Sequence, residues 1–181
     1  MKATQRLLII LLAIFLTACI APEPVSQNLP RLRVQFDGTG WNGIAIAQEN
    51  RCRADGGRGL SPSFKVSRLP VGTNAILVRY NNEDNRKLEN GGLGEIGFKV
   101  DMEETSAVTV AIPEGTDTLP DSVWIEIHNR WGDMQGIGYR APCSGGKGDR
   151  YSASVLALKT FRQTGVPPKI LAQGSIFLGR W

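Results

Sequence analysis

The sequence predicts an all-β domain, a sandwich or a Greek-key barrel. Two observations carry this. The mature chain contains many short segments rich in β-branched or aromatic residues, each bounded by Gly, Pro, Asn or Asp. No segment sustains an apolar stripe at helical spacing; YSASVLALKTF, from Tyr151 to Phe161, is ambiguous and too short to settle by periodicity. With 181 residues the chain is long enough for one domain with a sizeable core.

The chain opens with MKATQRLLIILLAIFLTAC. Lys2 and Arg6 precede an apolar run from Leu7 to Leu16 and then small residues, which is the order of a signal peptide, residues 1–18. Ten apolar residues are too few for a membrane-spanning helix, which needs about 20. Leu16-Thr17-Ala18-Cys19 resembles the bacterial lipobox, in which the cysteine is acylated and becomes the first mature residue. The alternative is an ordinary secretory signal with a chance cysteine. Lipidation at Cys19 implies a membrane partner through the anchor. In a Gram-negative cell the residue after the cysteine, Ile20 rather than aspartate, implies the outer membrane facing the periplasm. IAPEPVSQNLP completes residues 19–30 as a proline-rich tether.

The domain, 31–181, then follows strand by strand. RLRVQF places Leu32, Val34 and Phe36 on one face, and NAILVRY, AVTVAI, SVWIEIH, SASVLAL and GSIFLG read as further strands. Formal charge falls from +4 to +2 once Lys2 and Arg6 are removed, and no basic stripe remains to argue for nucleic acid. Once Cys19 is assigned to the anchor, Cys52 and Cys143 remain. They are either a disulfide, favoured by an oxidising compartment, or two separate buried thiols. A bridge closing a loop of about ninety residues stabilises by roughly 4–5 kcal/mol in the chain-entropy model.

Motif chemistry excludes more than it assigns. In GYRAPCSGGKGDRY, Gly138 to Tyr151, Gly146-Lys147 sits where a Walker loop would have Gly-Lys, but Ala141 replaces its first glycine and Gly148 its hydroxyl residue. The single histidine, His128, shares the non-apolar parity of its strand with Trp124 and Glu126, as on a solvated face. No nucleophile–base pair is visible, so no catalytic residue is expected and the chain reads as a non-enzyme. The carboxylates are too scattered for a metal site, and no cofactor is expected.

Four stretches, in order, resemble the phosphatidylethanolamine-binding, or Raf kinase inhibitor-like, family. SPSFKVSRLPVGTNAILVRYNNED is similar to its S-P…L-P-x-G-T segment, strand and D-P-D-A-P; VAIPEGTDTLP to its V-N-I-P…L-P. GYRAPCSGGKGDRYSASVLAL is similar to its G-Y-G-G-P-C…H-R-Y strand, and ILAQGSIFLG to its closing strand. The family often carries a cysteine shortly before S-P, where Cys52 stands. The resemblance implies a Greek-key β-sandwich with short peripheral helices and a pocket for a small anion such as a lipid-headgroup phosphate. Its counterparts here are Asn82, Asp84, Ser106, Tyr139, Asp149, Arg150 and Tyr151. Asn82 replaces the first Asp of D-P-D-A-P, and Ser106 and Asp149 replace histidines. The implied function is a binding module with a remodelled pocket for a small polar or headgroup ligand. The alternative is a structural or protease-inhibitor-type lipoprotein that meets an envelope protein and whose pocket is vestigial.

Overall fold

The computed structural model describes residues 28–132, 136–160 and 165–181. The signal peptide and Cys19 lie outside the described residues. Among the described residues, eight strands form two antiparallel sheets. β1 (Arg33–Phe36), β2 (Phe64–Ser67) and β5 (Ser106–Val108) form the smaller, in the order β1-β2-β5. β3 (Ala75–Asn82), β4 (Glu95–Lys99), β6 (Val123–Ile127), β7 (Arg150–Lys159) and β8 (Lys169–Arg180) form the larger, in the order β6-β4-β3-β7-β8. The helices among the described residues are two single 3-10 turns, Gln48–Asn50 and Arg53–Asp55.

Alternation decides which residues meet between the sheets. Ile76, Val78 and Tyr80 of β3, Ile96 and Phe98 of β4, and Ala153 and Val155 of β7 point inward. There they join Phe64 and Val66 of β2, with Leu32, Val34 and Phe36 alongside. The opposite parity, Ala75, Leu77, Leu156 and Leu158, forms a second apolar cluster on the outer face with Trp124 and Ile170. Trp124 lies flat over β4 because Gly97 has no side chain: a Cβ there would meet the indole at 2.1 Å. SASVLAL is thus a strand, and EIGFK and FKVS, unmarked in the sequence, are strands as well.

Candidate functional site

β3 and β7 pair antiparallel so that Asn82 lies opposite Tyr151. The chain turns away at Glu83-Asp84 on one side and arrives through Asp149 on the other. Asn82 Nδ2 donates to Asp149 Oδ2 at 2.7 Å, and Asn82 Oδ1 accepts from Asp84 N at 3.0 Å. Asp84 in turn accepts from Arg150: the backbone N at 2.7 Å and the guanidinium Nη2 at 2.7 Å. The Arg150 guanidinium and its backbone N–H hold the Asp84 carboxyl below its ordinary pKa, and the same contact raises Arg150. This pair sits at the solvent rim.

Beneath it lie three buried tyrosines. Tyr151 Oη accepts from Cys143 N at 3.2 Å, which ties the 138–151 loop to the strand that follows it. Tyr80 and Tyr139 pack at 4.6 Å between ring centroids, tilted by 59°. Among the described residues neither of their hydroxyls has a partner at hydrogen-bond geometry. Ser61 Oγ lies beside Tyr80 but accepts from Ile112 N at 2.9 Å. Burial pushes all three phenols above their ordinary range; Ser61 offsets part of the shift at Tyr80, while Tyr80 and Glu114 add to it at Tyr139. An unsatisfied buried hydroxyl costs on the order of 1–3 kcal/mol.

Glu114, buried, is the residue that sequence reasoning missed. Its Oε1 accepts from Arg53 N at 2.6 Å, and its Oε2 lies 3.4 Å from Arg140 Nη1 and accepts from Ala141 N at 3.4 Å. One carboxylate therefore joins three segments: the turn after Cys52, the I-P-E-G loop, and the 138–151 loop. Gly59 makes room for it at φ +70°, since a Cβ would meet Glu114 Cγ at 2.5 Å. The available signal was position alone, directly after the matched Ile112-Pro113.

Cys52 and Cys143 are joined as a disulfide, with Cα atoms 5.2 Å apart, and Arg140 Nη2 donates to Cys143 Sγ at 3.0 Å. Asp55 accepts from Gly145 N at 2.9 Å and Trp181 Nε1 at 2.7 Å. The two sulfurs and Asp55 lie close enough together to suggest a metal site, but bonded sulfurs are not thiolate ligands.

The structure brings Asn82, Asp84, Tyr139, Asp149, Arg150 and Tyr151 to one end of the sandwich. Ser106 is carried elsewhere. It lies in β5 opposite Ser67, in the three-stranded sheet. His128 also departs from its expected solvated face. β6 ends at Ile127, and His128 Nδ1 accepts from Gly138 N at 2.9 Å, bracing the start of the 138–151 loop.

Two of the groups that the resemblance would turn to a phosphate are spent on the protein. The position expected to hold a cationic donor carries Asp149, the neighbouring Asn82 spends its donor on that carboxylate, and Tyr151 spends its acceptor on the loop. A carboxylate about 4 Å from an anion costs about 4 kcal/mol at an effective dielectric near 20.

No family model and no curated protein matches the chain. Its fold is similar to that of solved structures. One is E. coli YbcL, described as a new member of the mammalian PEBP family, with TM-score 0.54, 20% identity, and coverage of 83% of this chain and 98% of that one. Another is a phosphatidylethanolamine-binding protein homolog from Chlamydia trachomatis, with TM-score 0.52, 18% identity, and coverage of 83% and 97%. The fold is of the phosphatidylethanolamine-binding type.

Proposed function

We infer that this chain is a lipid-anchored, extracytoplasmic, non-catalytic binding domain of the phosphatidylethanolamine-binding type, whose pocket has been remodelled away from phosphate. The observation that carries the reading is the Asn82–Asp149 hydrogen bond at 2.7 Å. A carboxylate and its amide partner close on each other where the resemblance places an acid and a phosphate-binding histidine. His128 supports the non-catalytic part, because its Nδ1 is committed to a backbone amide. Calorimetry with phosphoethanolamine tests the pocket: the expected result is binding no tighter than millimolar, worth about 4 kcal/mol. Micromolar binding by the wild type overturns the reading.

A second reading, contact with an envelope protein through a vestigial pocket, is favoured by closure of the site, since Asn82 and Tyr139 are each 1% exposed. Specific capture of a single envelope protein, with no headgroup ligand bound, selects it. The anchor is tested separately. Wild-type protein should partition into detergent and Cys19→Ala should not mature; a soluble, unacylated wild type refutes lipidation.

A further inference from the structure

The outer face of the large sheet holds a second site, remote in character from the closed one. Where β3, β7 and β8 lie side by side, Asn81 is opposite Ser152, Ser154 is opposite Ser175, and Leu156 is opposite Gln173. All of these share the parity that points away from the main core. Two depressions meet here. One, of about 350 Å³, is lined by Ser154, Gln173 and Ser175 and walled by Arg31 and Leu32. The other, of about 240 Å³, is lined by Asn81, Ser152 and Ser154, with Glu83 and Glu89 at its far end. Ser154 lines both, so they form one trough across three strands.

The wall is built by the chain itself. Leu32 N donates to Gln173 O at 2.9 Å and Gln173 N donates to Pro30 O at 3.0 Å, which holds residues 30–32 against β8. From β3 to this wall the trough crosses three inter-strand steps, about 14 Å at the usual spacing.

Its chemistry is specific. The floor carries short hydroxyls and planar amides; Arg31 stands at one end and Glu83 with Glu89 at the other, and the Arg79–Glu95 ion pair flanks Ser154 on the same face. Asn81 Nδ2 donates to Ser152 Oγ and Ser154 Oγ at 3.3 and 3.4 Å, long bonds that place both hydroxyls as acceptors. Neither serine hydroxyl donates to another described residue, so each keeps a proton to offer. Phe177, opposite Ser152 on the same face, leaves an apolar ring edge 36% exposed. A floor that both donates and accepts, without net charge and beside an apolar ring, matches a ligand that is itself a dense array of hydroxyl donors and acceptors with an apolar C–H face. It does not match an acyl chain, for which the lining is too polar, or a polyphosphate, since Arg31 is offset by Glu83 and Glu89 and Arg79 is paired with Glu95. We propose that this trough binds a short neutral oligosaccharide, through Ser152, Ser154, Gln173 and Ser175 with Phe177 against a sugar ring; Asn81, whose Oδ1 accepts from Gly91 N at 2.7 Å and whose Nδ2 donates to both serines, holds the hydroxyls in place.

The test uses the full exported protein in detergent and isothermal calorimetry, with chitotetraose and maltotetraose as separate titrants. The expected result is saturable binding of at least one, with Kd at or below millimolar. Ser154→Arg and Ser175→Arg, which push a long cation into the trough, should each weaken it by at least about tenfold. Lys65→Ala, on the exposed face of the small sheet, should leave it unchanged. Ser175 is exposed, so Ser175→Arg keeps the test valid if Ser154→Arg fails to fold. The proposal is overturned if neither titrant binds at millimolar concentration, or if Ser175→Arg binds as tightly as the wild type. Because the probes are neutral and the variants lie outside the tyrosine site, failure here leaves the phosphoethanolamine result standing, and the reverse.

Discussion

β3 and β7 present two faces that differ by a single residue of phase, and the two behave in opposite ways. Inward, Tyr80, Asn82 and Tyr151 enter a site where most polar groups turn on the protein, Asn82 on Asp149, Tyr151 on the Cys143 amide and Glu114 on the Arg53 and Ala141 amides, while the Tyr80 and Tyr139 hydroxyls go without partners. Outward, Asn81, Ser152 and Ser154 reach each other only through long bonds and line an open trough. The difference follows from what covers each face. Inside, loops stapled by Cys52–Cys143 close over the sheet end, so its polar groups depend on protein partners, and the Tyr80 and Tyr139 hydroxyls go without one. Outside, the serine hydroxyls keep protons that solvent or a ligand can take, while Asn81 is held by Gly91 N at 2.7 Å.

The largest expected effect tests that staple. Replacing Cys52 and Cys143 together with alanine should lower stability by roughly 4–5 kcal/mol, as expected for a loop of about ninety residues. In a chain of this size the melting midpoint should fall on the order of 10 °C. A loss below about 1 kcal/mol in denaturant titration would mean that the loops close without the bridge, and the proposed origin of the contrast fails.

Next is alkaline pH. Tyr80 and Tyr139 are both held above the ordinary phenol value by burial. A raised folded pKa means that the unfolded chain releases protons first, so the stabilisation is whole below about pH 10 and drains away as pH rises beyond it. Each tyrosine should cost about 1 kcal/mol per pH unit above that point. Tyrosinate absorbance should therefore appear together with loss of the fold. Titration of these phenols at ordinary pH in an intact fold would show that the inner face is wet.

A matched pair probes the two faces directly. Asn82→Ala strips partners from Asp149 and from the Asp84 amide, and should cost about 1–2 kcal/mol. Ser154→Ala, on the same strand pair but facing out, should change stability by less than about 0.5 kcal/mol. Equal costs in urea melts would erase the distinction.

The smallest effect is at the rim. Asp84 has a depressed folded pKa, so its pairing with Arg150 stabilises above the ordinary carboxylate range, near pH 4, and is lost as pH falls below it. Wild type should exceed Asp84→Asn slightly at neutral pH and in low salt, and the two should converge below pH 4. A gap that persists at pH 2 would show that Asp84 acts through something other than its charge.

Local pattern was enough for six of the strands, because alternation of Val, Ile and Leu is written in the segments themselves. It was not enough for EIGFK. Its two inward residues, Ile96 and Phe98, alternate, but with only two apolar positions and a glycine between them the segment is too short to stand out; the outward Glu95 and Gly97 make sense only once Arg79 pairs with Glu95 at 3.0 Å and Trp124 covers Gly97. Parity put His128 on a solvated face, but the strand ends one residue earlier and the ring turns to Gly138. Glu114 left no trace in spacing, because its three contacts come from positions as far apart as Arg53 and Ala141.

The sequence by itself determined the all-β class and most of the strands; its resemblance to a known family implied the convergence of the 82–84 and 149–151 segments. Period-two patterning and turn residues act over a few neighbours and survive without knowledge of the rest of the chain. The cysteine count and the exported context already favoured joining Cys52 to Cys143, as the structure does; only the tertiary structure decided that Glu114 joins three loops, that Asp149 faces Asn82, and that a trough opens on the outer face. Each of those depends on the register of strands and loops far apart in sequence, and a shift of one residue would send every side chain to the other face.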